Sequence, residues 1–371
     1  MLLTPDSTNR QNLNISNLKH SRNGHSIFPF VSILIPCRNE EKFIENCLES
    51  IINNNEHLMG RLEVLVIDGM SEDGTREIVK GYVDKYPWLK LIDNPKKIVP
   101  TAMNIGIKNA QGDIIMRMDA HNIYEKDYIS KCVRYLEEYN VDNVGGIWIT
   151  MPGEDTVIAR SIALALSSPF GVGNTYFRIG SKAPKFVDTV PFGCYKREVF
   201  EKIGFFDEDL IRNQDDEFNQ RLIKNGGKIL LAPDIISYYY ARDALSKLWR
   251  MYYQYGYFKP LVAKKVGGIF TWRQLIPAVF ISSVIFFGIS SFFFKSLFSI
   301  FLFLITSYLI VNFSFSFKIA VKKGFKYFFT LPVIFAVLHF SYGYGYLKGI
   351  LDFVIFRKHL RKDITNVPLT R

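Results

Sequence analysis

The 371-residue sequence predicts an α/β fold, a doubly wound and mainly parallel sheet, followed by a C-terminal α-helical transmembrane module. Three observations carry that expectation. Short β-branched runs alternate with amphipathic stretches over roughly the first 120 residues. Uncharged stretches of 20 and 21 residues follow at 275–294 and 297–317. The charge divides near the same place: residues 264–371 hold 14 Lys and Arg against Asp352 and Asp363, a net of +12, while residues 1–263 carry −1. Those last 108 residues also hold 20 of the 32 Phe. The overall +11 is therefore no footprint of nucleic acid, which is excluded as a partner because the front half offers no basic groove. An apolar share of 48% excludes wholesale disorder.

The elements follow in order. Residues 1–29 are polar, rich in Asn and Ser, and read as a flexible leader without the apolar core of a signal peptide. The run 31–35, closed by Pro36, is a buried strand. Phe43, Ile44, Cys47, Leu48, Ile51 and Ile52 then form a helical stripe behind Glu40 and Glu41. Residues 62–67 are the second strand, ending at Asp68 and Gly69; 75–86 is helical, 89–92 a strand, 101–110 a helix, and 114–118 a strand ending at Asp119. In such sheets ligands bind beyond the carboxyl ends of the strands, where Arg38, Asp68 and Asp119 fall. Helical patterns at 126–139, 196–203 and 214–225 alternate with apolar runs at 144–149 and 228–232. The four cysteines lack metal-like spacing and read as reduced thiols.

Three acidic positions suggest chemistry. A carboxylate at Asp68, after a strand and before Gly69, suits hydrogen bonds to a nucleobase or ribose; a plain turn is the rival explanation. Asp119 and His121 stand two apart at a strand end, a spacing that lets both hold a divalent cation bridging a diphosphate. Asp215, Asp216 and Glu217 open a helix, and three consecutive acids exceed what its dipole needs, so a general base is expected among them.

The blocks Ile35-Pro36-Cys37-Arg38-Asn39-Glu40-Glu41, Val66 to Thr75, Asn104-Ile105-Gly106 with Ala110 to Asp113, Asp119-Ala120-His121, and Gln214 to Phe218 through Arg221-Leu222 occur in this order. The chain resembles the family 2 glycosyltransferases over about residues 30–260, and within them the succinoglycan-type glucosyltransferases of exopolysaccharide biosynthesis. The resemblance implies that residues 30–262 form a GT-A catalytic domain with a Rossmann-like nucleotide-binding half, while the apolar stretches make 263–371 a membrane module with two to three hydrophobic segments. It implies that Asp68 holds the base, with Pro36, Arg38 and Glu40 lining that pocket and Asn104 and Asp119 also in the nucleotide-sugar site. Asp119 and His121 would hold Mg²⁺ or Mn²⁺, and Asp215 would be the base, with Asp216 and Glu217 as substitutes. The implied activity is an inverting, metal-dependent transfer of a hexose, from a UDP-glucose-like donor to a lipid-linked saccharide acceptor.

The sequence departs from the family pattern at His121, where many relatives have Asp, and at Gln214, where many have Glu. No metal-binding His stands in the 237–240 region. The Gln-x-x-Arg-Trp signature is absent, which argues against a processive synthase. An inactive scaffold that binds nucleotide sugar is the alternative from another class. Tyr252, Tyr253, Gln254, Tyr255 and Lys259 are expected either to form an acceptor-side lip or to belong to an interfacial amphipathic helix. Lys264, Lys265 and Arg273 precede the first apolar stretch, and Lys318, Lys322, Lys323 and Lys326 follow the second, with only Lys295 between. The positive-inside rule then predicts a multi-pass protein of the cytoplasmic membrane with its catalytic domain inside. A third segment, 327–347, is interrupted by Pro332, His339, Gly343 and Gly345. Because the basic tail with Arg357, Lys358, Arg361 and Lys362 argues against a third crossing, it is expected to re-enter or to lie in the interface, with its bend near 343–346.

Overall fold

The computed structural model describes residues 28–58, 60–268 and 272–357. Its centre is a nine-stranded mixed sheet. Strands β1 (Val31–Cys37), β2 (Leu62–Asp68), β3 (Leu89–Asp93) and β4 (Ile114–Arg117) run parallel in the order β3-β2-β1-β4. Their connections are α1 (Ile44–Asn54), α2 (Thr75–Val83) and α3 (Val99–Asn109). Both β1 and β2 are buried along their whole length, which is why they read as continuous apolar runs. Alternate residues serve the two faces: Ile33, Ile35, Val64 and Val66 pack with α1 and α2, and Leu34, Leu65 and Ile67 with α3. Because β1 lies between β2 and β4, the order reverses there, and a crevice opens at the carboxyl ends of β1 and β4.

The second half adds β5 (Asn122–Tyr124), β6 (Asn143–Met151), β7 (Lys185–Phe186), β8 (Cys194–Lys196) and β9 (Ile229–Tyr240). The sheet continues from β4 as β8-β6-β9-β5, with β7 on β9; β8 is antiparallel to both β4 and β6. Three of these strands have two or three residues, too short to show an alternating pattern in sequence. β9 outruns the apolar stretch at 228–232 and passes Pro233, because the register with β6 skips from Leu231 to Ile236 and frees the proline of a ladder bond. The accompanying helices are α4 (Tyr128–Glu138), α5 (Val157–Leu166), α6 (Pro169–Val172), α7 (Tyr176–Ile179), α8 (Arg197–Ile203) and α9 (Gln214–Lys224).

Four helices follow: α10 (Leu245–Val266), α11 (Ile276–Ser290), α12 (Lys295–Lys323) and α13 (Leu331–Gly349), the last prolonged by a π-turn over Ile350–Ile355. Among the described residues two helices are long and apolar enough to cross a membrane, Trp272–Ser290 and Lys295–Lys323, with mean hydropathies of 1.6 and 2.0. Their side chains face outward, with Phe286, Phe303 and Ile310 each about 60–70% exposed, and Phe292 at the turn between them reaches 88%.

The third segment behaves otherwise than its glycines suggested. α13 is continuous through 343–346 and does not bend there. It packs on α10, and the glycines are where the two backbones touch. A Cβ on Gly345 would lie 2.2 Å from the Tyr253 carbonyl, one on Gly349 2.1 Å from that of Tyr257, and one on Gly256 2.1 Å from that of Tyr342. Small residues four apart thus allow close approach and are no hinge. Leu331, Ile334, Phe335 and Leu338 complete a shared core with Leu248, Met251 and Tyr252 of α10 and Ile162 and Leu166 of α5.

Candidate active site

The β1 turn and the β2 turn are built on each other. Asn39, in left-handed backbone at φ 54°, accepts from the Glu72 amide (2.9 Å), and its own amide donates to Ser71 Oγ (2.9 Å). Gly69 lets the two turns approach closely: a Cβ there would sit 3.1 Å from that of Arg38. Asp68 itself lies beneath this surface. Fully buried, its carboxylate accepts from Ser71 Oγ (2.5 Å), the Ser71 amide (3.0 Å) and Arg76 Nη1 (2.6 Å). Asp68 does not itself line the cavity; its neighbour Gly69 does, and the Asp68 carboxylate braces the turn behind it. Asn104 is likewise withdrawn: its amide group donates to the Phe206 carbonyl (2.9 Å) and Glu208 (3.0 Å), and its Oδ1 accepts from the Phe206 amide (2.9 Å). Asn104 ties α3 to the 204–208 loop.

Other expected residues do converge. A cavity of about 830 Å³ opens beyond β1 and β4 and is lined by Pro36, Arg38, Glu40, Asp119, His121, Asp215 and Asp216. Arg117 and Asp119 share one face of the β4 end at i and i+2, and the guanidinium grips both carboxylate oxygens (Nε 2.8 Å, Nη2 3.2 Å). Burial works against the Arg117 charge, but Asp119 and Asp215 outweigh it and hold the guanidinium firmly protonated. His121 Nδ1 stands 3.2 Å from Glu40 Oε1. A hydrogen bond there, with Nδ1 protonated, leaves Nε2 with a lone pair, the tautomer a metal ligand needs.

Asn213, left-handed at φ 60°, turns the chain into α9, and its amide group donates to the Tyr255 carbonyl (2.9 Å). In the first turn Asp215 and Asp216 reach the cavity, Asp216 with Lys259 Nζ at 2.5 Å and Gln220 Nε2 at 2.9 Å. Burial first, and then the Asp215 charge, push the Tyr195 phenol upward, keeping it neutral. Glu217 points away and is clamped by Arg221 (Nε 2.7 Å, Nη2 3.0 Å), whose guanidinium also bonds the Ile203 and Phe205 carbonyls. One helical step of about 100° separates a cavity carboxylate from a structural one. Glu217→Gln is accordingly expected to lower stability by about 1–3 kcal/mol, seen as a lower thermal midpoint, while kcat changes less than about threefold.

The sequence reading missed several walls of the cavity. Arg178 of α7, Arg242 after β9 and Arg273 before α11 line it with Arg212 and Lys259. Arg117 could have been found from its two-residue spacing to Asp119; Arg178 had no local signal, since β6, α7 and β9 meet only in the fold. Arg273, which the charge count treats as a flank of the first apolar stretch, pairs with Asp188 at 2.6 Å and closes one side. Of the five residues at 252–259, Tyr252, Tyr255 and Lys259 line the cavity, Gln254 accepts from Arg212 Nε (3.2 Å), and Tyr253 faces away toward Tyr257 and Tyr344. The cavity carries eight cationic against four carboxylate side chains, a net of +4. Four of the eight non-glycine residues with left-handed backbone among those described, Asn39, Lys97, Phe192 and Asn213, also line it. Among the described residues no three His, Cys, Asp or Glu side chains group as a metal cage.

Residues 32–204 match the description "Glycosyl transferase family 2". A glucuronosyltransferase of Methanococcus voltae is 30% identical over 333 residues, covering 87% of this chain and 97% of its own length. The chain belongs to glycosyl transferase family 2. It is therefore a glycosyltransferase. The succinoglycan biosynthesis protein ExoA of Rhizobium meliloti is 30% identical over 248 residues, 66% of this chain and 73% of that one. Among solved structures, the mannosyltransferase PcManGT of Pyrobaculum calidifontis, in complex with GDP-Man and Mn²⁺, superposes with a TM-score of 0.57 at 17% identity, covering 88% of each chain. That likeness shows the fold, the GT-A-like mixed sheet expected of the family 2 motifs.

Proposed function

We propose that this glycosyltransferase moves a hexose, with inversion, from a nucleotide sugar, with UDP-hexose favoured, to a lipid-linked saccharide acceptor at the cytoplasmic face of the cell membrane. The observation that carries this reading is the continuity of the cavity. It joins the strand ends at Pro36, Arg38 and Asp119 to an apolar end at Phe280, Tyr308 and Leu338 of α11, α12 and α13. The full name of the Methanococcus relative gives a dolichyl N-acetyl-glucosaminyl phosphate acceptor, which agrees with a cavity of this kind. Exposed apolar flanks on α11 and α12, with basic residues at their shared end, support a membrane hairpin.

Pro36, Arg38 and Glu40 line the donor end, and Arg38 Nε is buried there without a partner among the described residues. The acceptor hydroxyl attacks the anomeric carbon opposite the diphosphate, the bond from that carbon to the diphosphate oxygen breaks, and the hydroxyl proton passes to the Asp215 carboxylate. Lys259 holds Asp216 out of that role through their ion pair. Asp119 and His121 would hold Mg²⁺ or Mn²⁺, with the diphosphate completing the shell as hard cations allow. Bound there, the cation supplies charge neutralisation to the leaving group. The donor set fits: each Asp119 oxygen keeps a lone pair beyond Arg117, and the Glu40 contact leaves His121 Nε2 available.

Purified protein with labelled UDP-glucose, UDP-galactose and GDP-mannose, a lipid-linked acceptor and Mn²⁺ tests the reading; transfer from one donor supports it, and turnover of none favours the scaffold. His121→Ala is expected to raise the Mn²⁺ concentration for half-maximal rate about 10–100-fold. An unchanged Mn²⁺ titration would remove His121 from the cation site.

A further inference from the structure

We infer that Arg178, Arg212 and Arg242 form a second anion site, apart from the donor diphosphate, which takes the phosphate of a lipid-phosphate acceptor; this deepens the function proposed above and rests on it.

Arg178 is 8% exposed, and its guanidinium lies over Trp148 (4.6 Å to the ring centre) and Tyr239 (5.1 Å). Stacking holds the plane but uses none of its in-plane hydrogen-bond donors. Its buried Nη1 has no hydrogen-bond partner among the described residues, and the same is true of Arg242 Nε. No carboxylate pairs with either within the described residues. Arg212 donates to Gln254, and burial, with the Arg242 charge adding to it, pulls its guanidinium below the usual arginine range. All three arginines line the cavity, and their charges act together on the Tyr255 phenol, which lines it too. Arg178, buried, and Arg242, half-buried, each keep a donor without a partner among the described residues, and like charges gathered in one cavity are costly unless an anion joins them.

Position selects the anion. Arg212 is three residues from Asp215, and Tyr239, the ring beneath Arg178, shares a hydrophobic cluster with Leu338 at the apolar end of the cavity. A lipid phosphate has that order of chemistry: tail on the apolar side, phosphate at the arginines, and a sugar hydroxyl near Asp215. Because Arg212 and Asp215 are three residues apart across the Asn213 turn, their Cα atoms lie within about 11 Å, which keeps the phosphate within reach of a sugar whose hydroxyl meets Asp215. The other source of a matching anion is the carboxylate of a uronic-acid donor.

Full-length protein in nanodiscs is titrated with farnesyl phosphate, farnesol, UDP-glucose and UDP-glucuronate. Wild type is expected to bind farnesyl phosphate at least about tenfold more tightly than farnesol, and Arg178→Gln and Arg242→Gln each to lose about tenfold of affinity for the phosphate alone. Equal binding of phosphate and alcohol, or unchanged affinity in both variants, overturns the inference. Loss confined to UDP-glucuronate makes the anion the donor's carboxylate, and loss of UDP-glucose returns the arginines to the diphosphate; either also overturns it. Should Arg178→Gln unfold, Arg242→Gln, which leaves the ring stack intact, decides alone. Phosphate binding through these arginines in a protein that turns over no donor would leave the site standing and sink the transfer reading.

Discussion

Asp215→Asn is expected to lower kcat by about 10³-fold while the donor KM stays within about twofold. The amide keeps the shape and the hydrogen bond from the Asp216 amide geometry but has no basicity, so only the proton transfer is lost. Steady-state rates with saturating donor and acceptor measure it, and a variant retaining a tenth of the activity would remove Asp215 as the base. Its two neighbours calibrate the result. Asp216 is neutralised by Lys259 and Glu217 by Arg221, so neither stands ready to substitute. The thermal midpoint should hold, because Asp215 lines the cavity and is not part of the buried core.

Gly345→Leu is expected to have the largest structural effect. With a Cβ only 2.2 Å from the Tyr253 carbonyl, a leucine cannot be accommodated by a rotamer change, since the obstacle is backbone. α10 and α13 must separate by about 2 Å or more, toward the usual 8–10 Å between helix axes. The cost is about 3 kcal/mol or more, against about 1–3 kcal/mol for Gly345→Ala. Thermal unfolding in detergent should show the order wild type, Ala, Leu. Activity should fall with it, because Tyr252, Tyr255 and Lys259 of α10 and Tyr342 of α13 are cavity walls. A leucine variant with an unchanged midpoint would mean that these helices do not meet as described.

The parallel half of the sheet was legible because its strands are short, mainly apolar runs and its connections carry 3.6-residue stripes. The second half was legible only in part: the runs at 144–149 and 228–232 mark β6 and β9, whereas β5, β7 and β8, with two or three residues each, are too short to show a pattern. Asp119, His121 and Asp215, which line the cavity, stood out in the sequence because they follow a strand or open a helix. Asp68 and Asn104 occupy equally conspicuous positions, but their hydrogen-bond partners, Arg76, Ser71, Phe206 and Glu208, turn them inward. A motif gives the residue type and leaves its satisfied valences invisible. Arg178 shows the opposite failure: an isolated arginine between Phe177 and Ile179 reads as an ordinary surface charge until β6 and β9 bring Trp148 and Tyr239 beneath it. For the glycines of α13, composition could not separate a hinge from a seam, because both need the absence of a Cβ.

Lys265 is held by Asp207 (2.6 Å) and Asp209 (2.8 Å) at one end of the 265–273 connection, and Arg273 by Asp188 at the other. Such a doubly tethered joint leaves the sheet little freedom to swing relative to α11. Under the proposed function, the enzyme then scans only a thin layer next to the lipid, and it meets its acceptor by lateral encounter within a plane. Its turnover would follow the acceptor's mole fraction in the bilayer and would be insensitive to how much vesicle suspension is added.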